Sequence, residues 1–327
     1  MSKLSRYGAL IVLLVAALPN RGQAAEVLPG WLQARDQNPF VLASGLPLAP
    51  TVPPAGNWQL DATFTVANTE LEQTSGPSFL QFDAETQEFR FSAAYAFNEC
   101  WSLRGSISHL SINDGFLDST IEGYHRLFGF SNGDRGLLGT KAPSIRVELD
   151  GATLYSLDHD VSGTGPLLID LTRTWTYGQN SQAGISLGSK WSTGSTSKLT
   201  DTGSTDFSLS AHTLYNNGRM TLGARAGFLI QGDNDLLGAQ ARDNVPFASV
   251  LFRYKPRQYW SYLTQIDAHG ALYEGLPDFF AASSQLTIGA SRRFGDSAEF
   301  IAWFSEDFPA LRSTDIAFGL NLRVDLD

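Results

Sequence analysis

Asp267 and His269 stand two residues apart in the stretch QIDAHGALY, 265–273. In an extended strand that spacing puts both side chains on one face. A carboxylate beside an imidazole can orient it as a general base for acyl cleavage. The serine and oxyanion site that such chemistry also needs are not placed by any spacing in the chain. Glu122 and His125 are three residues apart and share a helix face if Ser119-Thr-Ile-Glu122 is a capping box and Gly129 closes a short helix. One such pair could touch a metal, but di-metal sites take two, so no metal and no cofactor is expected. Glu306 and Asp307 read as a solvated rim pair, and KLTDTGSTD (198–206) as a polar loop. There is no phosphate-cradling glycine loop and no Cys/His zinc spacing. Cys100 is the single cysteine, which excludes an internal disulfide.

The elements that must carry these residues are strands. In Ser284–Phe304, Leu286, Ile288, Ala290 and Phe294 fall on one side of an extended segment; Gln285, Thr287, Ser291 and Arg293 fall on the other. A polar turn at Gly295-Asp296-Ser297 follows, and Phe300, Ala302 and Phe304 resume the alternation. This is the pattern of an antiparallel hairpin. The same pattern predicts strands over 58–67, 88–98, 100–110, 166–177, 182–191, 206–215, 219–230, 245–254, 259–269, 284–294, 298–305 and 315–326. Asp150-Gly151 marks one more hairpin, at 144–158. Counting it in the wall would raise about twelve strands to fourteen. Short turns near 98–100, 178–181, 216–218, 255–258 and 295–297 alternate with long connections at 68–87, 111–165, 192–205, 231–244, 270–283 and 306–314. Aromatics bracket the short turns, among them Phe97, Trp101, Tyr177, Tyr215, Tyr254, Tyr259, Trp260 and Phe294.

The first residues say where such strands would sit. Lys3 and Arg6 precede an apolar run, Gly8 to Leu18, and small residues end the segment near Ala24. This is the pattern of a secretory signal peptide over 1–24, since a spanning helix needs about 20 apolar residues. A proline-rich, non-repetitive arm, 25–57, comes next, and alternation runs over 58–327. In a barrel the arm would lie in the periplasm or fold into the lumen as a plug. The net charge is −10 and becomes −13 once Lys3, Arg6 and Arg21 are cut away, which argues against nucleic acid as a partner. Charged residues are 17%, below the roughly 25% of soluble domains.

These features predict an all-β transmembrane antiparallel barrel with short periplasmic turns and long extracellular loops. Its polar face would enclose Arg90, Arg104, Asp170, Lys190, Arg225, Arg253, Arg293 and Arg323 as lumen-lining residues. Arg173 falls on the lipid side by parity and is the exception.

Several stretches resemble the domain of unknown function 3187 family of Gram-negative outer-membrane proteins. They are QNPF (37–40), GLP (45–47), GFLDSTIEGYHRLFGFSNGDR (115–135), KLTDTGSTD (198–206), QIDAHGALY (265–273), QLTIGA (285–290) and SED (305–307). The resemblance implies a β-rich protein of the outer membrane and carries over no activity. It draws attention to Asp118, Glu122, His125, Asp267 and His269 without giving them roles. The resulting expectation is a monomeric barrel in outer-membrane lipid, a channel or transporter for a small solute. The alternatives are a membrane-embedded lipid-modifying hydrolase using His269 or His125, and a barrel that only anchors its surface loops.

Overall fold

The computed structural model describes residues 30–115, 142–308 and 312–326. Glu122, His125 and Asp118, and with them the expected helix, lie outside the described residues, as does the signal segment. Fifteen strands are present among the described residues: β1 (Trp58–Ser75), β2 (Ser78–Ala96), β3 (Trp101–Asn113), β4 (Ser144–Leu149), β5 (Ala152–Leu157), β6 (Val161–Thr164), β7 (Leu167–Tyr177), β8 (Ser181–Trp191), β9 (Asp206–Asn216), β10 (Met220–Ile230), β11 (Asn244–Arg257), β12 (Trp260–His269), β13 (Ser283–Phe294), β14 (Ala298–Asp307) and β15 (Ile316–Leu326). Twelve of them form a closed antiparallel ring. Closure is made by β1 against β15, from Trp58 opposite Leu326 to Asn68 opposite Ile316. No edge remains in the ring, and every wall strand has two partners, which is what hydrocarbon demands of a backbone.

The 144–158 hairpin does not enter the ring. β4 pairs with Ser78–Asp83 of β2, above the level at which β2 pairs with β3, and β5 pairs with β4 alone. β6 likewise continues the β7 line along the upper part of β3.

The connection expected over 68–87 is instead strand throughout: β1 and β2 run on as a paired ribbon to a turn at Gly76-Pro77. Gly76 has φ +57° there, a conformation that suits glycine. The reason for the misreading is a reversal of polarity along the strands. On lower β2, Phe89, Phe91 and Tyr95 point outward while Glu88, Arg90 and Ser92 point in. Higher up, Leu80, Phe82 and Ala84 are the inward residues, and Gln81, Asp83 and Gln87 face out. β3 reverses likewise, from inward Arg104 and Ser106 to inward Leu110 and Ile112. Apolar side chains face whichever side lacks water: lipid around the lower wall, the interior above it.

The outer surface is a greasy band. Val250 is 56% exposed, Ile288 53% and Leu222 50%, on a wall whose inner Arg90 is 2% exposed. Trp58, Phe97, Tyr177, Tyr215, Tyr254, Tyr259, Trp260 and Phe294 are all exposed at the short-turn rim, where amphipathic rings favour a membrane–water boundary. Arg173 lies on the outer side opposite Trp101. Its guanidinium is 5.3 Å from the Trp101 ring and 5.2 Å from the Trp175 ring, so two indoles shield the charge.

The apolar core sits in the upper lumen. Phe40, Leu80, Phe82, Ile112, Ile145, Val147, Leu229, Leu272, Phe279 and Phe280 belong to one buried cluster. Phe40 comes from the arm, not from the wall.

Candidate functional site: a lumen filled by the chain's own N-terminal segment

The barrel's inner face is lined with cations, and a cation removed from water must find acceptors. Here four of those cations, Arg90, Arg104, Arg225 and Arg323, find acceptors among the backbone carbonyls of residues 30–57. The segment starts at the short-turn end, where Arg323 Nη2 donates to Trp31 O at 3.1 Å. Gln265 then bonds both backbone groups of Leu32, each at 3.2 Å. Arg90 donates to Gln33 O. Arg35 and Glu88 form an ion pair at 2.5 Å, and Glu88 also holds Arg90 at 3.1 Å and Gln37 at 3.3 Å.

At the top the segment makes one turn of helix, α1 (Pro39–Leu42). Asn38 Oδ1 accepts from Phe40 N at 3.0 Å, and Pro39 occupies the first helical position, where no N–H is needed. The Phe40 ring is fully buried, with centroids 4.9 Å from Phe280, 5.8 Å from Tyr155 and 6.3 Å from Tyr273. The chain then returns. Gly45 N donates to Asp206 Oδ2 at 3.0 Å, in a place where a Cβ would meet Asp206 Cβ at 2.7 Å. Both terminal nitrogens of Arg225 reach Pro47 O at 3.3 Å. Arg104 donates to Leu48 O and Ala49 O while paired to Asp170 at 2.7 Å.

Of the side chains expected to line the lumen, Arg90, Arg104, Asp170, Lys190, Arg225, Arg253 and Arg323 are buried inside the wall. Arg293 is at the short-turn mouth, half-buried, with Nη2 donating to Asp296 O at 2.6 Å. Lys190 is enclosed by Asp201 at 2.9 Å and Asp206 at 3.7 Å. Those two acids come from KLTDTGSTD, which is therefore no solvated loop: Leu199, Asp201, Thr202 and Asp206 are each fully buried. Asp307 is also buried, capping Arg312 N at 3.1 Å, so it is not a solvated rim residue.

The Asp267–His269 expectation is corrected by the arm. Asp267 accepts from Gln265 Nε2 at 2.8 Å. The carboxylate on His269 is Asp36, 3.0 Å from Nε2, and Nδ1 faces Gly270 O at 2.8 Å. Both ring nitrogens are thus engaged within the chain, Nε2 by a carboxylate of the segment and Nδ1 by a backbone carbonyl. Ser313 Oγ donates to the far oxygen of Asp36 and not to the ring. This is a latch between arm and wall. His269→Ala is expected to leave membrane lipid composition unchanged by mass spectrometry and to lower unfolding stability by about 2 kcal/mol, the scale of a charged hydrogen bond. Among the described residues, no three His, Cys, Asp or Glu side chains gather as a metal site.

Sequence reasoning missed Arg35, Asp36, Glu88, Asp201 and Asp206. Glu88 alone carried a signal, two residues from Arg90 on the same strand face.

No curated protein is similar enough in sequence to match the chain. The COG4313 outer membrane channel from Pseudomonas putida F1 superposes with a TM-score of 0.55 at 14% identity, over 84% of this chain and 96% of that one. The toluene transporter TbuX of Ralstonia pickettii gives 0.41 at 9% identity over 83% and 89%, and a Pseudomonas aeruginosa FadL homologue 0.40 at 11% over 91% and 100%. The first of these shows a shared fold, that of an outer-membrane barrel. Residues 7–325 match the model of a protein family of unknown function, DUF3187, and the chain belongs to that family.

Proposed function

We propose that the protein is an outer-membrane channel for a small solute, closed by its own N-terminal segment. The observation that carries this reading is how the segment is held. Arg90, Arg104, Arg225 and Arg323 grip it through backbone carbonyls. Withdrawing it would uncover the polar lower lumen inside a wall whose outer face is apolar. The COG4313 structure, also described as an outer membrane channel, supports the reading. One chain closes its own wall, so the working unit proposed is a monomer, delivered by the segment 1–24.

Deletion of residues 31–55, with the signal segment kept, tests this in planar bilayers. The intact chain is expected to show small or rare openings. The deletion variant should conduct steadily, at least about tenfold more, because a twelve-stranded wall without its filling encloses water. Silence from both proteins, each shown to be folded by heat-modifiable gel mobility, overturns the channel.

A further inference from the structure

Below the segment, at the short-turn mouth, lies a cavity of about 380 Å³ lined in part by Gly30, Arg219, Arg253, Lys255, Arg293 and Arg323. That volume is at the lower end of the ~300–1,000 Å³ of small-molecule sites. Three acids share the lining: Asp296, Glu299 and Asp325. Glu299 is taken up by Arg253 and by Arg323, the latter at 3.6 Å, and Arg323 also holds Asp61 at 3.1 Å. Asp325 accepts from Gln59 at 2.5 Å. Among the described residues, Arg219, Lys255 and Arg293 have no carboxylate within ion-pair distance. They come from three separate places on the rim: the β9–β10 turn, the end of β11 and the end of β13. Behind them Arg253 is 4% exposed, and its Nε and Nη1 make no hydrogen bond. A cavity whose lining has an excess of cations, backed by a buried guanidinium, is matched by a planar or tetrahedral oxyanion.

We propose that this mouth binds small soluble oxyanions, solutes bearing carboxylate or phosphate groups. The inference builds on the channel reading by naming the solute class, but binding can be measured with no flux at all. If the deletion variant fails to conduct, the channel falls and the binding test still stands.

The full chain in a zwitterionic detergent is titrated calorimetrically at low salt with citrate and with inorganic phosphate, using glucose as the neutral control. Binding of either anion, absent for glucose and weakened by added salt, is expected. The triple variant Arg219→Gln, Lys255→Gln, Arg293→Gln should bind about tenfold more weakly, since three positive charges lining the cavity are lost. Arg219→Lys with Arg293→Lys should keep most of the affinity. A parallel titration with short-chain phosphatidylglycerol separates a free anion from a lipid headgroup. Equal binding by wild type and triple variant, binding of the lipid alone, or no binding of either anion overturns the proposal.

Discussion

Lys190→Met is expected to destabilise the barrel by about 3–5 kcal/mol, the cost of leaving buried charge without its partner. Lys190, Asp201 and Asp206 have no exposed side-chain surface. The ammonium is paired to two carboxylates, and it also donates to Thr202 Oγ1. The acids in turn organise backbone: Asp201 accepts from Thr193, Gly194 and Gly203 at 2.9–3.0 Å. Asp206 accepts from Gly232 at 2.9 Å and from Gly45 at 3.0 Å. Removing the ammonium sets two carboxylates against each other, and the loop 192–205 and the returning limb of the plug lose their common anchor. Guanidinium unfolding in detergent, followed by gel mobility, reads the loss. Adding Asp206→Asn should restore part of it, because one negative charge goes with the positive one. A midpoint unchanged by Lys190→Met would mean that the three charges are not enclosed together.

Glu88→Ala is expected to cost a similar ~3–5 kcal/mol and, unlike Lys190→Met, to act mainly on the rising limb. Glu88 is fully buried between Arg35 of the segment and Arg90 of the wall. Without it two guanidiniums face each other with only carbonyls between them. The segment should then leave its place more often, seen as more frequent openings in bilayers. The double variant Arg35→Met, Glu88→Ala separates the two effects. If the pair acts as a unit, the double variant is more stable than Glu88→Ala alone. Additive losses would show that Arg35 does not depend on Glu88.

Much of the wall was legible in the residues. The Leu286–Phe294 alternation, the turn at Gly295 and the rings around each short turn are local patterns, and the wall strands lie close to where those patterns end. The site was far less legible. His269 and Asp267 were neighbours in sequence and so looked like partners, yet the imidazole meets Asp36, 233 positions away. Lys190 was seen as a polar-face cation, but its two acids looked like an ordinary hydroxyl-rich loop.

What the sequence determined by itself was therefore the set of interactions whose partners are set by period: strands, tight turns, and the face that meets lipid. Which way the apolar face turns at Leu80 and Phe82, and where residues 30–57 go, only the tertiary structure decided. The physical reason is the nature of the acceptors. Arg104 and Arg225 bind the carbonyls of Leu48, Ala49 and Pro47, and every residue type carries a carbonyl, so those positions hold no mark of being gripped. The polarity of a strand likewise depends on whether water or hydrocarbon lies beyond it, and that is set by the closed ring as a whole.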